Sequence, residues 1–228
     1  MRVPPSIPTT AVALLVASLL LFAVTASAGP LSAGGDHTGE DHSGEDHSGS
    51  NLPGIILKDA NLQATDLSSS NLSAASFKNA NLTNANLSGS DLSDALLKDT
   101  LLGGANLSDA DLTGAQAKNA DLSGAYLSGA DLVGTNLENA SLAGSDLRGA
   151  DLSDAEVKNI VLTGALYDDA TIWPDGFDPS GTSAEYAPGG SGSGSLPAAP
   201  VPASSDFGRS ALVLLLLASA AFGLRQRA

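Results

Sequence analysis

The ten residues Ala105-Asn106-Leu107-Ser108-Asp109-Ala110-Asp111-Leu112-Thr113-Gly114 state one five-residue phrase twice. In each copy a small residue lies two positions before a Leu. Two positions after the Leu comes a residue that tolerates positive φ. Stepping outward by five meets no change of phase between Leu52 and Ile172. Of those twenty-five positions twenty are Leu, the others being Phe77, Ala117, Val157, Tyr167 and Ile172. Two residues before, sixteen are Ala and seven are Ser or Thr, with only Ile55 and Ile160 departing. Two residues after, twenty-one are Gly, Asn or Asp; immediately before, fourteen are Asn or Asp.

Each pentad reads as a short extended piece closed by a turn. The Leu and the small residue two before it share a face, because side chains alternate along an extended chain. A helix is excluded by Gly, Asn and Asp recurring throughout. No pentad stands alone: burying its Leu yields about 1.5–3 kcal/mol, and ordering five backbone units costs about 5–10 kcal/mol. Stability must come from coil stacked on coil, with an apolar column inside. Leu52, Leu72, Leu92, Leu112, Leu132 and Leu152 are expected to form one such core column.

A twenty-residue period overlies the five-residue one. All five lysines, Lys58, Lys78, Lys98, Lys118 and Lys158, are spaced by twenty or forty, and Glu138 stands in the gap. The residue after each is Asp59, Asn79, Asp99, Asn119, Asn139 or Asn159. Four pentads per turn would stack these side chains in one outward column at about 4.8 Å per coil. Asp91, Asp111, Asp131 and Asp151 form a second column.

The motif Ala-(Asp/Asn)-Leu-X-X, present as Ala110-Asp111-Leu112-Thr113-Gly114 and Ala150-Asp151-Leu152-Ser153-Asp154, resembles that of the pentapeptide-repeat family. The resemblance covers residues 51–172. It implies an all-β fold, a right-handed quadrilateral β-helix, which at this length has about six coils. Leu166 to Pro179 also resembles a closing stretch of some members. There Trp173 and Phe177 are expected to cap the apolar column where it would otherwise meet water.

The flanks differ in character. Residues 1–28 read as a signal peptide: Arg2, an apolar run of fourteen residues, then the small-residue site Ala26-Ser27-Ala28. Residues 179–209 have the Gly/Ser/Pro composition of a flexible linker. Residues 210–228 hold an apolar stretch that ends in Arg225-Gln226-Arg227-Ala228, a sorting signal or membrane anchor. This end resembles PEP-CTERM-type bacterial envelope sorting signals, with Val201-Pro202-Ala203-Ser204 where that family has Val-Pro-Glu-Pro. The folded solenoid is accordingly expected over residues 51–178.

Residues 29–50 contain all three histidines, His37, His42 and His47, in the inward phase and accompanied by Asp36, Asp41 and Asp46. Polar side chains at inward positions carry a large desolvation cost, so this tract is expected to be a disordered linker. A metal site built from those six residues is the sharper alternative.

Composition narrows the function. Ten Lys and Arg against twenty-five Asp and Glu give a net charge of −15, contrary to the basic face that nucleic acid requires. The absence of cysteine removes thiol nucleophiles, disulfides and Cys-ligated metals. The repeat has no His to activate its Ser residues and no insertions to form a pocket, so neither an enzyme nor a cofactor is expected. The sequence points to an exported structural or interaction module at the cell envelope. Its partner would be an unknown protein or an envelope polymer, its membrane contact the C-terminal segment, and the lysine column a candidate interaction line. A metal-binding envelope protein and an acidic DNA-mimicking inhibitor are the alternatives.

Overall fold

The computed structural model describes residues 30–188. The expected signal peptide at 1–28 and sorting segment at 210–228 lie outside the described residues, as do positions 189–209 of the expected linker. Among the described residues no helix is long and apolar enough to cross a membrane.

The residue before each inward position forms a parallel bridge with the residue twenty further on, from Asp36 with Ile56 to Asp146 with Leu166. Twenty residues therefore complete one coil, and its four pentads give it four sides. The pentad around Leu72 shows where the backbone donors go. Leu72 N–H donates to Asp91 O at 2.7 Å and Ala74 N–H to Ser93 O at 2.8 Å, both in the following coil. Asn71 N–H donates to Ser50 O in the preceding coil at 2.9 Å, and Ala75 N–H closes the turn on Leu72 O at 3.0 Å. The fifth donor, Ser73 N–H, is taken by the Asn71 side chain at 3.1 Å.

That last bond recurs in sixteen pentads. It explains the preference for Asn or Asp before the Leu, since this side chain answers the one N–H that ladder and turn leave over. Pro53, which follows Asn51 and Leu52, has no N–H to satisfy.

The turn residue two after each inward position has positive φ in all twenty-seven pentads from Gly34 to Gly164. Fourteen of these are Gly and ten are Asn or Asp, the types that adopt this region most readily. Ala64, Ser69 and Ala74, in three successive pentads, are the exceptions.

Inside, every Leu in phase from Leu52 to Leu162 is buried, with Phe77 and Ala117 in the same series. Where Thr replaces Ala two positions earlier, its buried hydroxyl donates to a backbone carbonyl. Thr65 reaches His42 O, Thr100 reaches Phe77 O and Thr135 reaches Leu112 O, each at 2.8 Å. The core thus accepts these hydroxyls without an unmet polar group.

The structure differs from the sequence-based expectation at both ends. The tract expected to be a disordered linker continues the coil. His37 N–H donates to Ile56 O at 2.7 Å, and His42 and His47 donate to Asn61 O and Asp66 O at 2.8 Å. Gly39, Gly44 and Gly49 supply the positive-φ turns, and the inward polar side chains bond to one another. That mutual satisfaction removes the desolvation cost on which disorder was expected.

At the C-terminal end the phase slips by one residue. Asp168, not Tyr167, is buried and opens the next turn, with Thr171 N–H donating to Asp168 O at 3.2 Å. The Asp168 carboxylate accepts from Gly149 N–H at 3.0 Å and Ala170 N–H at 3.1 Å. Ile172 then pairs with Asp151, twenty-one residues away, and is 50% exposed, so it is not a core position.

Folded structure also continues past residue 178, into the expected linker. A short 3-10 helix, Pro179–Gly181, leads to β2 (Glu185–Tyr186), which pairs in parallel with β1 (Leu166–Tyr167). Glu185 N–H donates to Ala165 O at 2.7 Å, so β2 covers part of the last coil's open edge. Trp173 and Phe177, with ring centroids 5.2 Å apart, pack against the core beside it. The Tyr167 ring lies edge-on to Trp173 at 5.8 Å and tilted against Tyr186 at 5.5 Å.

Candidate functional site

Two arrangements of polar side chains stand out: a histidine coil inside the N-terminal end, and columns in register outside. His37, His42 and His47 point inward from three successive sides of one coil. In the next coil the corresponding positions are Leu57, Leu62 and Leu67, all buried, which form an apolar floor. Glu40 and Glu45 occupy the small-residue positions between the imidazoles.

The five side chains form one alternating chain. Glu40 Oε2 lies 2.8 Å from His37 Nδ1 and 3.2 Å from His42 Nε2. Glu45 Oε2 lies 2.9 Å from His42 Nδ1 and 2.8 Å from His47 Nε2. Successive rings meet edge-on, their centroids 5.6 and 5.8 Å apart. The His42 side chain is fully buried. The hydrogen bond from His37 holds the Glu40 carboxyl below its ordinary range, the opposing effect of its partial desolvation being smaller.

Only half of the six expected metal ligands converge. Asp36, Asp41 and Asp46 face outward, where each accepts the N–H two residues on, from Thr38 at 3.1 Å and from Ser43 and Ser48 at 3.0 Å. Hydrogen bonds from these same residues hold all three carboxyls low. The carboxylates that meet the imidazoles are Glu40 and Glu45. Their signal in the sequence is parity: each lies two residues before a His, and alternation puts both on one face.

The lysine column stands outside in register, but it is not a purely basic stripe. Lys58 lies 3.4 Å from Asp59, Lys98 lies 3.9 Å from Asp99, and Glu138 bonds Lys118 and lies 3.8 Å from Lys158. The hydrogen bond from Lys118 lowers the Glu138 carboxyl, and the reciprocal bond raises the Lys118 ammonium. Beside it runs an amide ladder: Asn79 donates to Asp59 at 2.8 Å, Asn119 to Asp99 at 2.8 Å and Asn159 to Asn139 at 2.9 Å. On another side Asp91, Asp111, Asp131 and Asp151 bridge one another in turn. Each of these also accepts the N–H two residues on, at 2.8 to 3.0 Å.

Residues 55–94, 90–129 and 125–164 match the family model of pentapeptide repeats. Rfr23, a pentapeptide repeat protein from the cyanobacterium Cyanothece 51142, is 31% identical over 58% of this chain and 90% of its own, with a TM-score of 0.33. The chain belongs to the pentapeptide-repeat family. A pentapeptide repeat protein from the Arabidopsis thaliana thylakoid lumen is also 31% identical, over 53% of this chain and 73% of its own, with a TM-score of 0.21. HetL, a pentapeptide repeat protein involved in heterocyst differentiation regulation in the cyanobacterium Nostoc sp. strain PCC 7120, is 23% identical. That match covers 73% of this chain and 90% of HetL, with a TM-score of 0.36. No curated protein sequence matches the chain. The fold that goes with the family is the right-handed quadrilateral β-helix, and pentapeptide-repeat proteins are generally non-enzymatic structural modules.

Proposed function

We propose that this pentapeptide-repeat protein is an exported, non-enzymatic interaction module that displays ordered polar columns at the cell envelope. One observation carries the reading. Across twenty-seven consecutive turns the coil has no insertion, so outward side chains twenty residues apart stand over one another in unbroken columns. Such columns suit a partner that is itself extended, either a protein face or a linear envelope polymer. They do not suit a small substrate, which needs concavity. The net charge of −15 argues against nucleic acid as that partner. Support for export comes from the sequence of residues 1–28, and support for a membrane contact from the apolar and basic pattern of residues 210–228.

Fractionation and intact mass of the expressed chain test the first half of this reading. The mature protein should begin at Gly29 and leave the cytoplasm, whereas an intact N-terminus in the cytoplasmic fraction refutes export. Removing residues 211–228 should move the protein from membrane to soluble fractions. For the interaction role, lysines 58, 78, 98 and 118 exchanged for Gln should weaken co-sedimentation with purified envelope in a salt-dependent way. Unchanged, salt-insensitive binding would remove that column from the interface.

A further inference from the structure

We propose that the histidine coil binds one zinc-class divalent ion per chain, through His37 Nδ1, a Glu40 carboxylate oxygen and His42 Nε2. The proposal goes beyond the envelope reading and does not depend on it. Two imidazoles and a carboxylate are a borderline-hard donor set suited to zinc and its neighbours in the first transition row. The donors are already placed. In a tetrahedron with bonds of 2.0–2.1 Å, neighbouring ligand atoms lie about 3.3 Å apart. Glu40 Oε2 stands 2.8 Å from His37 Nδ1 and 3.2 Å from His42 Nε2, and the three residues each offer a donor atom within 4.8 Å of the others. Small outward shifts admit an ion, and a fourth position remains for water.

His42 supplies the strongest argument. Both of its ring nitrogens face carboxylate oxygens, yet a neutral imidazole carries only one N–H. Meeting both carboxylates, at 2.9 Å to Glu45 and 3.2 Å to Glu40, therefore takes either a second ring proton or a cation on one side. A cation between Nε2 and Glu40 takes the place of that second proton and makes two ligand bonds. Glu45 then becomes the carboxylate that fixes the tautomer and aim of a metal-bound His, with His47 Nε2 donating to it at 2.8 Å.

The mirror arrangement, His42 with Glu45 and His47, places its donors equally close together. Because neutral His42 offers a single lone pair, the two triads do not fill together, which sets the stoichiometry at one. The first triad is favoured by burial: His37 and His42 are both buried, whereas His47 is only partly so. Binding requires little ordering, since the His37 and His42 backbone N–H groups are anchored to the next coil at 2.7 and 2.8 Å. The Glu40 side chain, 38% exposed, leaves an entry path.

The test is calorimetric titration of the full chain, first stripped with a chelator, with Zn²⁺ at neutral pH. One ion per chain should bind saturably. His37→Gln and His42→Gln should each weaken binding by at least 100-fold, Glu45→Gln by about 10–100-fold as an outer-shell partner, and His47→Gln much less. Co²⁺ bound to the unaltered chain should show the intense visible bands of a four-coordinate site, a readout that does not depend on any variant folding. Absence of saturable Zn²⁺ binding, or cobalt bands of octahedral weakness, overturns the proposal. His47→Gln failing as badly as His37→Gln overturns the ligand assignment.

Discussion

Ala64 and Gly124 occupy the same position in their turns, with φ of +57° and +67°, and exchanging their residue types should have opposite effects. An L-residue in the left-handed region costs about 1–2 kcal/mol. Glycine relieves that strain but returns about 0.4–1 kcal/mol through the greater freedom of the unfolded chain. Ala64→Gly should therefore stabilise the fold by about 0.5–1 kcal/mol, with Gly124→Ala destabilising it by a similar amount. At Gly124 a new Cβ meets nothing within 4 Å, so the loss there is backbone strain alone. Ser69 and Ala74 share the defect, and the triple glycine variant should gain about 2 kcal/mol if the sites act independently. For a chain of this size each kcal/mol moves the midpoint by roughly 2–4 °C. Thermal melts followed by far-ultraviolet circular dichroism resolve such shifts. A lower midpoint for Ala64→Gly, or an unchanged one for Gly124→Ala, would refute the strain argument.

Other consequences follow from burial, capping and charge. Leu112→Asp should unfold the protein or cost several kcal/mol, because the side chain is 1% exposed. By contrast Thr113→Asp, facing solvent, should stay within about 0.5 kcal/mol in urea unfolding. Asp111→Asn should be tolerated, since the amide oxygen still accepts from Thr113 N–H, whereas Asp111→Ala should cost about 0.5–1.5 kcal/mol. Glu138 and Asp59 have carboxyls lowered in the folded state, chiefly by hydrogen bonds from Lys118 and Asn79. Their contribution to stability is thus present above the ordinary carboxylate range and disappears as pH falls through the lowered values. Melts should show stability falling below about pH 4, less steeply in Glu138→Gln. Equal slopes would mean that the Glu138 pairs are too well solvated to matter.

What the sequence disclosed depended on whether a role could be read from one residue type at one spacing. The inward Leu, the small residue before it and the turn residue after it each satisfy a requirement of backbone geometry, so their period was visible. The lysine spacing disclosed the twenty-residue coil for the same reason. The task of the Asn or Asp before each Leu was hidden, because it lies in a bond from side chain to backbone two residues on. The histidine tract reads as disordered when each inward His and Glu is counted as a separate desolvation cost. Burial is unfavourable for each alone and acceptable once Glu40 and Glu45 alternate with His37, His42 and His47. Ile172 kept the apolar period by coincidence, after the extra residue at Tyr167 had already turned the chain over.

The four-sided coil also sets rules for how such a gene can change length. Loss of five residues keeps every downstream Leu inside but rotates all later side chains by a quarter-turn. Were one pentad lost between Lys98 and Lys118, the latter would leave its line and stand in the column now occupied by Ser93 and Thr113. Loss or gain of twenty residues preserves both the interior and the exterior. The five lysines keep to one column because whole turns separate them, so losing or gaining a single pentad anywhere between Lys58 and Lys158 would break that line while leaving the core filled.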